Sequence, residues 1–151
     1  MNHAPTQLFC NHYNECMKLT CALTADSVLI VDNEVLLVQR RHEPFQGKWG
    51  FPGGFVDENE KALDGAKREL QEETGVEGVN LVQFGSYADP GRDPRGRTVS
   101  MVYLGFPNAK PLAKAADDAA ACRWFPIDQP PPMAFDHDKI LNDIRERLKN
   151  Q

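Results

Sequence analysis

The chain has 151 residues, 41% of them hydrophobic and 26% charged, with a net charge of −5 and a pI near 5.3. That length suits one domain with a single buried core, and the acidic balance speaks against broad binding to nucleic acid or an anionic membrane. No apolar run approaches a membrane span and the first residues lack a signal-peptide core, so a cytoplasmic protein is expected.

Residues 1–16 are polar and irregular, and read as an N-terminal arm ahead of one domain over residues 17–151. The arm and its junction hold His3, Cys10, His12, Cys16 and Cys21, all of them potential zinc ligands. Their spacing matches no standard finger, and Cys122 adds no evident disulfide framework. Cys21 falls in an apolar strand, so free thiols are the expected state.

From Lys18 to Val31 the chain is strand-like, and Asp32-Asn33 offers a turn into a second strand, Glu34–Arg40. Arg41–Lys48 reads as a loop and Trp49–Phe51 as a short strand entering a Pro52-Gly53-Gly54 turn. A helix is expected from about Glu60 to Thr74, with Asp57 or Asn59 as its cap and Gly75 as its stop. Val79–Tyr87, Thr98–Phe106 and Ala121–Phe125 read as further strands. Pro130–Pro132 cannot be helix interior. Ile140, Leu141, Ile144 and Leu148 mark an amphipathic C-terminal helix that Asp136 could cap.

The first helix carries the chemistry. Each residue advances by about 100°, so Glu69, Glu72 and Glu73 share one face. Three adjacent carboxylates repel, and they make sense together around a multivalent cation, hard Mg2+ or Mn2+ rather than zinc. Leu63, Ala66 and Leu70 form the neighbouring apolar stripe. Arg68 lies one turn before Glu72 and can neutralise part of the cluster. Gly65 projects between Glu69 and Glu72, either keeping space for metal or phosphate or simply being tolerated.

Written out, the segment is Gly54-x5-Glu60-x7-Arg68-Glu69-Leu70-x-Glu72-Glu73-x-Gly75-Val76. At roughly one in twenty per fixed position, a chance match is on the order of one in a billion per window. This is the Nudix box, and the chain resembles the Nudix hydrolases, which cleave diphosphates linked to another moiety. The resemblance implies an α/β fold, the Nudix α/β/α sandwich with a mixed sheet. The stretches Val38–Trp49 and Asp89–Ser100, Pro90 some fifteen residues past the box, and Ala134–His137 are similar to the ADP-ribose pyrophosphatase-like branch.

That branch implies a nucleotide substrate, most simply ADP-ribose cleaved to AMP and ribose 5-phosphate. Glu69, Glu72 and Glu73, with the Gly53 carbonyl, would hold Mg2+ or Mn2+, and Glu69, Glu72 and Arg68 form the catalytic set. Arg40, Arg92, Arg95, Arg97 and Phe135 form the substrate-binding set. Three of those arginines share one loop, a clamp for phosphate or a ribose diol, unless Asp89 and Asp93 pair with them in a solvated turn. Phe135 could stack an adenine, while Trp49, Phe51 and Tyr87 belong more naturally to the core.

The general base is expected to be Glu69, with Asp117, Asp118, Asp136 or His137 in reserve, because Glu146 is the sole glutamate after Glu77. His137 fits better as a residue that helps start the last helix. Other nucleotide sugars, NADH or damaged nucleoside triphosphates are alternative substrates within the family. A ligand-sensing regulator of NAD metabolism is the alternative of another class, set against by the intact box and the lack of a basic footprint. No nucleic-acid or membrane partner is expected. A homodimer fits the branch.

Overall fold

The computed structural model describes residues 20–116 and 119–151. Its strands are β1 (Ala22–Val31), β2 (Glu34–Arg40), β3 (Trp49–Gly50), β4 (Gly53–Phe55), β5 (Val82–Tyr87), β6 (Thr98–Gly105) and β7 (Ala119–Pro126). Its helices are α1 (Ala62–Thr74) and α2 (His137–Lys149). The arm at residues 1–16, with Cys10 and Cys16, and the reserve bases Asp117 and Asp118 lie outside the described residues. Cys21 is exposed and free, and no described helix is long and apolar enough to cross a membrane.

β1 organises the sheet. Asp32 and Asn33 both take a left-handed φ, 51° and 59°, which is the two-residue turn whose twist suits a hairpin, and it sets Val31 opposite Glu34. β1 runs parallel to β6 from Ala22↔Thr98 to Leu29↔Gly105, while its first half also pairs antiparallel with β4. The order β3-β2-β1-β6-β5, with β7 on β2 and β4 on β1, makes a mixed sheet.

Side chains alternate across this sheet and feed two cores. Val28, Ile30, Val35 and Leu37 meet Ile140, Leu141 and Ile144 of α2 on one face. Leu29 and Leu36 meet Ala66 and Leu70 of α1 on the other. The result is the expected α/β/α sandwich.

Several local expectations need correction. α1 begins at Ala62, and its N-cap position is Lys61 with no side-chain cap, so neither Asp57 nor Asn59 caps it. The reason lies in Glu60, whose Oε1 accepts the Asp57 N–H at 2.8 Å and closes a tight turn before the helix. Gly75 ends the helix as expected, at φ 77° with its N–H on the Gln71 carbonyl.

Gly65 keeps no room for metal or phosphate. A Cβ there would lie 2.9 Å from Glu60 Oε1 and 3.3 Å from Val56 Cγ2, so it admits the 56–60 turn instead. Gly53 and Gly54, read as a turn, are strand β4, which low glycine propensity concealed. β5 starts three residues later than expected, at Val82, and β7 starts two earlier, at Ala119.

Candidate active site

The box glycines are required by close approach. β4 sets Gly53 opposite Asp26 and Gly54 opposite Ala25. A Cβ on Gly53 would fall 2.1 Å from Asp26 Oδ1 and 2.5 Å from the Ala25 carbonyl oxygen. One on Gly54 would fall 2.6 Å from Glu69 Cδ. The bare backbone therefore lets the α1 carboxylates lie against β4, where the Gly53 N–H donates to Glu73 Oε2 at 3.4 Å.

Those carboxylates are half-buried, and close enough for their charges to act on each other. Burial, then the charge of Glu69, pushes the Glu73 carboxyl up to about 8. Burial raises Glu69 as well, against the opposing effect of Arg68.

Arg68 is the hub. It grips Glu60 with Nε at 3.1 Å and Nη2 at 2.6 Å, and it donates through Nη1 to Glu69 at 2.9 Å and Glu72 at 3.2 Å. Nη2 also reaches the Phe55 carbonyl of β4 at 3.0 Å, so helix and strand are fastened together. The Arg68 guanidinium in turn holds the Glu60 carboxyl down to about 2. Because Nη1 stands between Glu69 and Glu72, no three carboxylates converge as a ready-made cation cage among the described residues.

A cleft of about 470 Å³ opens beside these groups. Glu69, Glu73 and Gly53 line it together with Arg40, Arg92, Arg95 and Phe135, so the cleft gathers most of the expected site. Three expected members stay out of the lining, and Arg68, the hub behind Glu69, is one of them. Glu72 is not part of the lining and is tied to Arg68. Arg97, placed by sequence in the clamp, is exposed and donates to the Ala88 carbonyl at 3.1 Å, because the loop turns it away from the cleft.

The remaining arginines are not equivalent. Arg92 forks onto Asp136 at 2.9 and 2.6 Å and gives Nη1 to Thr98. Arg95 forks onto Asp93 at 3.1 and 2.8 Å, which is the internal pairing weighed for this loop. Asp89 turns to Lys139 instead. Arg40 pairs with no carboxylate among the described residues and donates Nε to the Pro44 carbonyl at 2.6 Å. Phe135 does not present a bare ring to a base: Arg40 and Arg95 both lie over it. Trp49 and Phe51 are core, and the Tyr87 hydroxyl donates to Asp143 at 2.8 Å.

One cleft residue escaped the sequence reading, and another, His137, stands at the start of α2 as expected. Asp26, in the apolar run of β1, is buried in the cleft floor with Ser100 donating to it, and burial raises its carboxyl to about 6. The available signal was a lone acid inside a strand of apolar residues. His137 is buried too, and burial drives its imidazole down to about 3, so it is neutral. Its Nδ1 accepts the Phe51 N–H at 3.1 Å, leaving the proton on Nε2, which faces Asp26 at 3.9 Å. With one nitrogen occupied and the other protonated, His137 is a poor reserve base, and Asp136 is committed to Arg92. Asp136 does stand at the N-cap position of α2, without a side-chain cap bond.

The sequence model of the NUDIX domain matches residues 22–144. The chain belongs to the NUDIX family. Within that family it is 39% identical over 129 residues to the ADP-ribose pyrophosphatase of Methanocaldococcus jannaschii, covering 85% of this chain and 75% of that one. It is 30% identical to the ADPR responsive transcriptional repressor NtrR of Acinetobacter baylyi over the whole of this chain, but spans only 64% of the repressor. The NUDIX domain of Shewanella oneidensis NrtR, solved complexed with ADP ribose, matches with a TM-score of 0.78 at 32% identity, over 98% of this chain and 99% of that one. A MutT/nudix protein from Enterococcus faecalis matches with a TM-score of 0.80, over 99% of this chain and 71% of that one. The NUDIX fold expected from the box is the fold observed.

Proposed function

We propose that this NUDIX domain hydrolyses ADP-ribose to AMP and ribose 5-phosphate with Mg2+ or Mn2+ as cofactor. The observation that carries the reading is one cleft lined by both box carboxylates and guanidinium groups. Its likeness to an ADP-ribose pyrophosphatase and to an ADP ribose-complexed domain supports the choice of substrate.

The donor set fits a hard divalent cation. Glu69 and Glu73 offer half-buried carboxylate oxygens beside the cleft, and Gly53 offers a carbonyl by family resemblance. Glu72 would join on turning from Arg68. When bound, the ion would neutralise the diphosphate and lower the pKa of an attached water.

The chain's own residues do the rest. Arg68 holds Glu69 against β4 and restrains Glu72. Glu69 is the best-placed base, since Asp136 and His137 are engaged elsewhere. Arg40 brings to the phosphates a guanidinium with no carboxylate ion pair among the described residues. Positioning and electrostatics would supply most of the acceleration, as in phosphoryl transfer generally.

A panel of ADP-ribose, other nucleotide sugars, NADH and nucleoside triphosphates, run with each metal, tests the reading. AMP released from ADP-ribose is expected, and turnover confined to triphosphates with release of pyrophosphate overturns it. A Glu73→Gln protein with full Mg2+-dependent turnover would sink the metal assignment. The likeness to NrtR favours a second reading, a ligand-sensing regulator, and a gel-shift beside the activity assay separates the two. A cytoplasmic homodimer completes the proposal, and light scattering on the eluting protein reads the oligomeric state.

A further inference from the structure

Among the described non-glycine residues with left-handed φ, Asp32 and Asn33 form the tight β1–β2 turn, whereas Phe45 lies in the longer loop joining β2 to β3 and Phe135 in the loop before α2. A phenylalanine in that region is strained. Here the two strained residues, 90 positions apart in the chain, place their rings 4.9 Å apart. Strain at two distant loops that serves a single contact points to a built feature.

The feature is an alternating column. Phe55 of β4 lies 5.0 Å from the Arg95 guanidinium, Arg95 lies 5.6 Å from the Phe135 ring, and Arg40 at the end of β2 lies 5.0 Å over that same ring. Each separation is within cation–π range. The column also explains Phe55, a large apolar side chain left 46% exposed.

Two guanidinium groups gathered on one ring repel each other, and Arg95 helps burial to hold the Arg40 pKa down. Each has a tether: Asp93 takes Nε and Nη2 of Arg95, and Pro44 takes Nε of Arg40. Both nevertheless keep Nη groups with no partner among the described residues, Nη1 on Arg95 and the pair on Arg40. Free donor edges on adjacent cations suit a ligand with adjacent anions.

We infer that Phe135 is a positioning residue that holds Arg40 and Arg95 together so that their free Nη edges select a diphosphate over a single phosphate. This rests on the diphosphate reading of the cleft and deepens it, since that reading names no residue that tells two phosphates from one.

Calorimetric titration with ADP and with AMP, without added divalent cation, isolates the guanidinium contribution from the metal and from turnover. Wild type is expected to bind ADP more tightly than AMP. Phe135→Leu keeps the bulk and removes the aromatic faces, and it should weaken ADP about tenfold while AMP stays within about twofold. Phe135→Tyr restores the faces and should restore the preference. With ADP-ribose as substrate and metal present, Phe135→Leu should raise KM and leave kcat unchanged.

Equal weakening of ADP and AMP would mean that the ring stacks the base, and it overturns the inference, as does wild type failing to prefer ADP. Should Phe135→Leu not fold, Arg40→Lys carries the test, with the same selective loss expected and an equal loss for both ligands refuting it. If ADP is preferred and Phe135→Leu erases the preference, yet ADP-ribose is not hydrolysed, the inference stands and the substrate reading falls.

Discussion

Gly53 and Gly54 are neighbours in one short strand, yet alanine at each should produce opposite phenotypes. At Gly54 the new Cβ meets the Glu69 carboxylate, the far end of a flexible side chain, with its nearest atom 2.6 Å away. To reach ordinary contact near 3.4 Å that carboxylate must withdraw by about 0.8 Å. The fold tolerates such a shift, because only one side chain moves. Catalysis should not, since a misplacement of about 1 Å at a reacting group can cost on the order of 100-fold, or about 2.7 kcal/mol of barrier.

At Gly53 the Cβ meets the Ala25 carbonyl oxygen at 2.5 Å and Asp26 Cα at 2.9 Å, which are backbone atoms of the central strand. Relief there requires parting β4 from β1. Overpacking of that kind costs roughly 1–3 kcal/mol or more, and at about 2–4 °C per kcal/mol for a domain of this size the melting temperature should fall by several degrees. Circular-dichroism melts and steady-state kinetics on both variants make the comparison. A Gly54→Ala protein with wild-type kcat, or one that melts as early as Gly53→Ala, would refute the reasoning.

Glu60 gives a pH signature. Its carboxyl is held down to about 2 in the fold, chiefly by its hydrogen bonds to Arg68, against an unfolded value of about 4.3. A depressed carboxylate stabilises the fold fully above the unfolded pKa and loses that contribution as pH falls toward the folded one. Melting temperature should therefore drop between about pH 5 and pH 2, and Glu60→Gln should flatten that slope; an unchanged slope would remove Glu60 from the account. Leu70, fully buried where α1 meets the sheet, should cost about 2–5 kcal/mol as alanine in urea unfolding, with m unchanged. Glu73→Gln should weaken Mn2+ binding by calorimetry and reduce turnover, while the melting temperature rises or holds, because the variant removes a half-buried carboxyl pushed up to about 8.

The fold was legible where local chemistry and global packing agree. Asp32-Asn33 asks for a tight hairpin, Gly75 asks for a left-handed stop, and Ile140, Leu141 and Ile144 ask for a buried helix face; each is what the structure has. It was illegible where a residue answers to a partner distant in sequence. Glycine rarely signals a strand, but Gly53 and Gly54 are strand because β1 and α1 approach too closely for any side chain. Gly65 misled for the complementary reason. The helical wheel shows which face a glycine occupies, not that Glu60 will fold back across it.

The site divides along the same line. Spacing within one helix placed Glu69 and Glu73 at the cleft and Arg68 among them, since intrahelical geometry is nearly independent of context. The arginines could not be ranked that way. Arg92, Arg95 and Arg97 look alike in sequence, but a guanidinium is available to phosphate only if no carboxylate has already claimed its fork. Asp136 claims Arg92 from 44 residues away, Asp93 claims one edge of Arg95, and Arg97 faces solvent. Arg40, the least conspicuous of the set in the sequence, is the one that lines the cleft without a carboxylate ion pair among the described residues. If the ranking is right, Arg40→Ala should raise KM for a diphosphate substrate by about tenfold or more, whereas Arg97→Ala should leave kinetics within about twofold. Arg92→Ala should show itself first in the melting temperature, because it strands Asp136 half-buried and without its partner. A larger kinetic effect from Arg97 than from Arg40 would mean that loop geometry, and not prior pairing, decides which guanidinium meets the substrate.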